Sequence, residues 1–307
     1  MSDFTIIMYH QVFKSNDKLL GLRGLSYSKF IRQISLYKKK YNILEPKIFY
    51  EKLINKSFKK NDCIITFDDG YKSHIKNVIP VLKKKSIKAF FFPAFNSTFK
   101  NKLLYVNKIQ LIIANTNNYK NLFLKIRNFI KHENLKIYFK LDKTISKINT
   151  KNVYDNKEII IIKRLLQLHL PKKLRENIVD KLFKLYVKKP EFKIAKKLYM
   201  SKKDLLILKK LGHDIGLHSI SHPWLSELDY EDQKKEIHEN IKTFKKYNLI
   251  NNEWMFCYPY GAYNKNTLKI LKKKKCSAAL TVVNKKNKCK NFKKLELNRE
   301  DCNNYFG

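Results

Sequence analysis

Six short apolar runs recur along the chain, most of them separated by helix-like stretches. They are Phe4–Met8 (FTIIM), Cys63–Phe67 (CIITF), Lys88–Phe95 (KAFFFPAF), the run through Ile215 and Leu217, the run through Met255 and Phe256, and Ser277–Val283 (SAALTVV). Runs that are apolar at nearly every position, with many β-branched and aromatic residues, suit strands covered on both faces. Between them lie SYSKFIRQISLYKKKY, with Phe30, Ile34 and Tyr37 at helical spacing, then HIKNVIPVLKKKSI, SKKDLLILKKLG, EDQKKEIHENIKTFKKY and KNTLKILKKK. Ser201 is placed to cap the helix that Gly212 ends. Strand and helix in alternation predict an α/β fold with a parallel sheet or barrel.

From residue 96 to 197 the alternation stops. YVNKIQLIIAN, NLFLKIRNFI, IIIIKRLLQLHL and RENIVDKLFKLYV are amphipathic at helical spacing, with no strand-like run among them. The expected organisation is a discontinuous barrel from residues 1–95 and 198–307, interrupted by a mostly helical insertion that serves as a cap or an oligomerisation element.

Composition narrows the class. With 44% hydrophobic residues over 307 positions the chain can bury a large core. It contains no apolar stretch long enough to span a membrane. The opening MSDFTIIMYHQVF lacks a basic leader, so a cytoplasmic location, peripheral to the inner face of the membrane, is expected. Five cysteines, an odd number without CxxC spacing, suit a reducing compartment and argue against a thiolate zinc site. The net charge of +40 suggests nucleic acid, yet only six of 66 basic residues are arginine and the lysines are spread from end to end. A specific nucleic-acid reader concentrates charge and uses arginine forks. Diffuse lysine instead draws anionic substrates and an anionic membrane surface in a salt-dependent way.

The run CIITF ends in two adjacent carboxylates, Asp68 and Asp69, followed by Gly70. Two anions at a buried strand end repel each other unless a cation joins them; the plainer alternative is an Asp-Gly turn. His218 and His222, in HSISH, follow another apolar run. Histidines four apart can aim two nitrogens at one point, as they do on one face of a helical turn. In a parallel barrel both motifs lie at the carboxyl ends of strands, where catalytic loops gather. Aspartate and two histidines with an open position suit a catalytic divalent ion. One aspartate would ligate it, while the other stays beside a bound water as general base.

TFDDGY (Thr66–Tyr71), HSISH (His218–His222) and FCYPYGAYN (Phe256–Asn264) resemble the first three motifs of the polysaccharide deacetylase family, the NodB-homology group or carbohydrate esterase family four. MYHQV (Met8–Val12) is similar to the YH strand start of many bacterial members. The resemblance spans roughly Phe4–Phe95 and Ser201–Val283. It implies a distorted (β/α) barrel and a metal-dependent deacetylase of N-acetylated sugars, with zinc the usual ion. It also implies Asp68 as catalytic base, Asp69, His218 and His222 as metal ligands, and the backbone N–H of Tyr260 as an oxyanion donor.

Two positions depart from the family pattern. Where many members carry an arginine that orients the base, this chain has Cys257; Arg299, in LELNRED, is the expected replacement. The late histidine that serves as general acid has no counterpart after His238, so His10 is expected to meet the substrate or leaving group. Trp224 and Tyr258 are candidates for stacking on a sugar, and Pro259 and Gly261 for shaping the loop. The expected activity is removal of an N-acetyl group from an amino sugar on a nucleotide or lipid phosphate, a precursor of a surface glycan. The alternatives are deformylation of a formamido sugar and a catalytically inactive glycan-binding relative.

Overall fold

The computed structural model describes residues 2–14, 22–150 and 155–304, and it divides into two units. One combines the N-terminal strand with Arg23–Lys102 and the chain from Phe192 onward; the other is built on Leu103–Glu191.

The first unit is a ring of short parallel strands. They are β1 (Asp3–Tyr9), β2 (Asp62–Asp68), β3 (Phe90–Phe92), β4 (Asp214–Ile215), β5 (Met255–Cys257), β6 (Ala278–Leu280) and β7 (Glu300–Asp301). Pairing runs β1–β2–β3–β4 and β5–β6, all parallel. Leu217, just past β4, bridges to Phe256 in β5, and Leu280 in β6 bridges to Leu297. β7 then pairs in parallel with β1, Ile7 opposite Glu300 and Met8 opposite Asp301, which closes the barrel. The staves are short and some contacts are single bridges, so the barrel is distorted.

Each stave alternates between two buried layers, as the period of two in a strand requires. Ile7, Ile65, Phe67, Phe91, Ile215, Phe256 and Ala279 face outward onto the helices, where Phe30, Ile34, Tyr37, Leu205, Leu208 and Ile270 complete the larger core. Ile6, Ile64, Phe90, Phe92, Met255, Cys257, Leu280 and Leu297 form a second cluster that fills the interior. Phe49, Tyr50 and Leu53 of helix Pro46–Asn55 join it from the amino end, and Tyr50 donates to Asp214, the first residue of β4. The close fit leaves no room at Gly216, where a Cβ would overlap the Phe92 ring and come within 2.9 Å of Met255 O.

The helices behave as their end residues dictate. Ser26 caps helix Tyr27–Lys40, and Ser201 forms a capping box with Asp204 at the head of helix Lys202–Lys210. That helix gives way to Gly212 at φ 81°. Two apolar runs yield less strand than their length suggests. Lys88–Phe95 contributes only β3, because Pro93 cannot continue the ladder, and the run through Ile215 contributes β4 plus the bridge at Leu217.

In the second unit every regular element among the described residues is helical. Helices Tyr105–Ala114, Tyr119–Glu133, Lys157–Arg164 and Lys172–Tyr186 bury Ile109, Ile112, Leu122, Ile126, Ile130, Ile162, Ile178 and Leu182. No helix among the described residues is long and apolar enough to cross a membrane.

Candidate functional site

Asp68 is the last residue of β2 and shares the inward face with Ile64 and Thr66. The backbone then turns left-handed, with φ 68° at Asp69 and 71° at Gly70. A non-glycine residue pays about 1–2 kcal/mol for that conformation, and such strain gathers where geometry serves function. Its effect is to send the two carboxylates in different directions. Gly70 is required as well, since a Cβ there would stand 2.7 Å from Pro93 Cβ.

Asp69 meets the two histidines. Its Oδ1 lies 3.4 Å from His218 Nε2 and 3.4 Å from His222 Nε2, and the two Nε2 atoms are 3.1 Å apart. All three side chains are buried. His218 Nδ1 donates to Cys257 O at 2.8 Å, which turns Nε2 toward the triangle. Burial and the adjacent His218 press His222 toward its neutral form, its pKa down to about 3. Burial alone would raise the Asp69 carboxyl, but His218 and His222 hold it below its ordinary value. Asp69 Oδ1 is buried without a hydrogen-bond partner. Donor atoms about 2.0–2.1 Å from one ion at tetrahedral angles stand about 3.3–3.4 Å from each other. The triangle therefore has the size and the donor set of a divalent-ion site.

The His218–His222 segment is a loop rather than a helical turn, with left-handed residues at Ser219 (φ 59°) and His222 (φ 58°). Glu236, on helix Tyr230–Lys246, holds it: Ile220 N and Ser221 N donate to Oε2 at 2.8 and 3.0 Å, and Ser221 Oγ donates to Oε1 at 2.6 Å. The sequence reading did not single out Glu236. Its only signal was a carboxylate in a lysine-rich helix near the motif, which any solvated helix face also provides.

Asp68 meets a different cation. Arg299, wholly buried, donates Nη1 to Oδ1 at 2.9 Å and Nη2 to Oδ2 at 2.8 Å, a two-pronged contact. Arg299 Nε donates to Thr281 O at 2.7 Å, and Nη2 reaches Cys257 Sγ at 3.1 Å. The guanidinium thus stands beside Cys257, where the expected arginine is missing. Burial pushes the Asp68 carboxyl up, but Arg299 outweighs it and brings the pKa down to about 2. Asp68, His218 and Cys257 also lie close enough to ligate an ion. A fixed positive charge already bonded to Asp68 and touching the thiol makes that group unsuitable for a second cation.

His10 follows β1 on the same barrel face, with Nε2 3.9 Å from Asp68 Oδ2 and a side chain 47% exposed. Tyr260 adopts φ 57° in the turn Pro259–Gly261, its ring edge-on to His222 and stacked on Trp224 at 4.7 Å. Gly261 is also left-handed (φ 68°), and a Cβ there would overlap Val282. Pro259 is buried beneath the turn. The structure does not bring Tyr258 to this surface. Its side chain is fully buried, stacks on Tyr263 and donates its hydroxyl to Leu295 O, because Tyr258 continues the outward-facing layer begun by Phe256.

A closed parallel barrel with two carboxylates and two histidines at the carboxyl ends of its staves is the architecture of the NodB-type carbohydrate deacetylases. The chain belongs to the polysaccharide deacetylase family: residues 55–110 and 169–279, more than half of its length, match that family's sequence profile. His10 and Arg299 both lie outside the matched segments. Among solved structures it resembles the Streptococcus pyogenes deacetylase PplD in complex with acetate, at 16% identity and TM-score 0.56, covering 97% of this chain and 92% of that one. IcaB from Ammonifex degensii gives 16% identity and TM-score 0.56, with 98% and 91% coverage. A de-N-acetylase from Aggregatibacter actinomycetemcomitans gives 11% identity and TM-score 0.55, with 100% and 97% coverage. At these identities the likeness concerns the fold. No curated protein matches the sequence. Family membership assigns deacetylation of a glycan as the chemistry.

Proposed function

We propose that this chain is a divalent-metal-dependent hydrolase that removes an N-acetyl group from an amino sugar carried on a nucleotide or lipid phosphate. Asp69, His218 and His222 would hold the ion, with zinc the one best suited to two imidazoles and a carboxylate. When bound, such an ion lowers the pKa of a water toward neutral and polarises a carbonyl. Asp68 accepts the proton of the attacking water, and Arg299 keeps Asp68 ionised and fixes its direction. The backbone N–H of Tyr260 is assigned to the oxyanion. Trp224 and Tyr260 form an aromatic wall for the sugar, on a loop shaped by Pro259 and Gly261. His10 faces the leaving group.

The observation that carries this reading is the Asp69–His218–His222 triangle, with edges of 3.1–3.4 Å and an orphaned carboxylate oxygen. The phosphate on the substrate rests on the net charge of +40, which attracts anions. The same charge favours work at the inner, anionic face of a membrane.

The test uses chelator-stripped protein reloaded with Zn²⁺ or Co²⁺ and offered a nucleotide-linked N-acetylhexosamine, with acetate release as the readout. Asp68→Asn is expected to bind the ion but not turn over, and Asp69→Asn to lose the ion. Turnover that survives stripping, or normal turnover in Asp68→Asn, contradicts the assignment. The N-formyl sugar in parallel separates deacetylation from deformylation.

A further inference from the structure

Helix Leu135–Phe139, in the second unit, buries none of its five residues. Its sequence, LKIYF, nevertheless carries four apolar or aromatic side chains. Leu135 is 54% exposed and Phe139 80%, and at i, i+4 they share one face. The helix is held in place. Asn134 caps it, its side chain accepting from Ile137 N at 3.0 Å. The cations of Arg127 and Lys131 stand 5.6 and 5.9 Å from the centre of the Tyr138 ring. Arg127 is fixed in turn by Asp142, at 2.5 and 3.3 Å. Leu124 is exposed too, and it precedes Arg127 by three residues and Lys131 by seven, on the same face of helix Tyr119–Glu133. Single apolar residues scattered over a surface need no explanation; a group of three on one fixed surface does.

The surroundings are cationic. Residues 119–149 hold eight lysines and arginines against two acids, and both acids are already paired, Glu133 with Lys181 and Asp142 with Arg127. Lys120, Lys131, Lys136, Lys140, Lys143 and Lys147 are exposed. Apolar anchors among lysines match the interface of an anionic bilayer: the acyl boundary takes leucine and phenylalanine, and the headgroup phosphates take the ammonium groups. A second copy would set the same excess of positive charge against itself. Nucleic acid would answer the lysines and stack on Phe139, but it would leave both leucines in water.

We propose that helix Leu135–Phe139 is a membrane-docking element, with Leu135 and Phe139 entering the headgroup region of an anionic bilayer and the neighbouring lysines binding lipid phosphates. The inference rests on the reading above, which has the enzyme working at an anionic membrane face. It gives the helical unit a task, that of holding the enzyme on the surface that carries a lipid-linked sugar.

Binding is measured by co-sedimentation with vesicles of phosphatidylcholine, alone or with one quarter phosphatidylglycerol, at about 0.15 M salt so that long-range attraction is screened. Neither metal nor substrate is needed. The parent should bind the anionic vesicles and not the neutral ones. Leu135→Ser with Phe139→Ser should weaken that binding about thirtyfold. Lys136→Ala with Lys140→Ala should weaken it about tenfold. Lys60→Ala with Lys290→Ala, an equal loss of charge at exposed positions of the first unit, should change it by less than about twofold. All six positions are exposed, so thermal unfolding should match the parent, and turnover of a nucleotide-linked sugar should be unchanged.

A parent that ignores anionic vesicles overturns the inference. So do equal losses in the two lysine pairs with the serine pair unaffected, because diffuse charge alone then binds the membrane. A parent dimer that the serine pair dissociates assigns the face to a second copy, and tighter binding of a single-stranded oligonucleotide that the same pair abolishes assigns it to nucleic acid; either overturns the inference as well. All of these leave the deacetylase reading intact. The expected pattern of vesicle binding in a metal-loaded protein that deacetylates no sugar overturns that reading alone.

Discussion

Replacing Arg299 by methionine tests the electrostatic core of the site. The guanidinium is fully buried and supplies both charged contacts to Asp68. Without it, among the described residues Asp68 retains the Cys257 thiol, 3.4 Å from Oδ2, as a close donor from the barrel interior. Removing one partner of a buried ion pair costs about 3–5 kcal/mol, a large share of the roughly 5–15 kcal/mol that stabilises a folded domain. The pH dependence is the sharper test. In the parent the Asp68 carboxyl is depressed from 3.8 to about 2, so its ionisation contributes about 2 kcal/mol. That contribution is fully present above pH 3.8 and is lost as pH falls toward 2. In Arg299→Met burial is opposed only by the weaker pull of His218 and His10, and the carboxyl rises. The variant then carries a penalty at neutral pH that acidification relieves.

Urea unfolding of metal-free parent and variant at pH 7 and again near pH 4.5 gives both stabilities. The gap should be widest at pH 7 and should narrow at the lower pH. A gap of the same size at both values refutes the reasoning, because it means that methionine disturbed packing and not charge. Cys257→Arg combined with Arg299→Met should recover much of the loss, since Cys257 Sγ already lies 3.1 Å from Arg299 Nη2.

Glu236→Gln removes an acceptor from the loop between the histidines and should weaken Zn²⁺ binding about tenfold or more, measured by competition with a chromophoric chelator; unchanged affinity contradicts the role. Asp214, buried at the foot of β4, has its carboxyl raised by burial from 3.8 to about 6. The native state therefore holds that proton more tightly, and the residue costs about 3 kcal/mol above pH 6, a cost that disappears below pH 3.8. Asp214→Asn should stabilise the protein at pH 7 and do nothing near pH 4 by urea unfolding, and a stabilisation independent of pH counts against this cause. Gly216→Ala must displace Phe92 inside a filled barrel and should cost about 1–3 kcal/mol, read as a lower unfolding temperature with the helical signal intact.

Much of this was legible in the residues themselves. CIITF could be little other than a buried stave, Ser201 announced a helix start, and the scarcity of arginine made Arg299 conspicuous once position 257 proved to be cysteine. What escaped depends on contacts distant in sequence. LELNRED is mostly polar, and its closing of the barrel comes from pairing with β1, nearly 300 residues earlier. Tyr258 sits in a loop of aromatics, and composition does not say which ring turns inward; the alternation set by Phe256 does. HxxxH spacing matches a helical turn as well as it matches a loop, and only the left-handed residues Ser219 and His222 with the Glu236 contacts decide for the loop. The π turn at His74–Val78 leaves no composition signature, because five residues are too few to reveal a change of helical period.

The adjacent carboxylates pose a problem that the fold solves by separation. Two anions joined by one peptide bond would each raise the other's pKa if their side chains lay side by side. In a regular strand they would point to opposite faces, and only one could reach the barrel interior. The left-handed step at Asp69 permits a third arrangement, in which both stay on the functional face but answer to different cations. Asp68 is neutralised by a guanidinium built into the interior, so it stays a carboxylate whether or not an ion is present. Among the described residues Asp69 meets two imidazoles, one of them pressed toward neutrality, and its charge is left for an ion to answer. Moving the arginine from position 257 to 299 preserves this division, because inward side chains from different staves converge on the same point of a closed barrel. The site fixes the location of the charge, and more than one stave can deliver it.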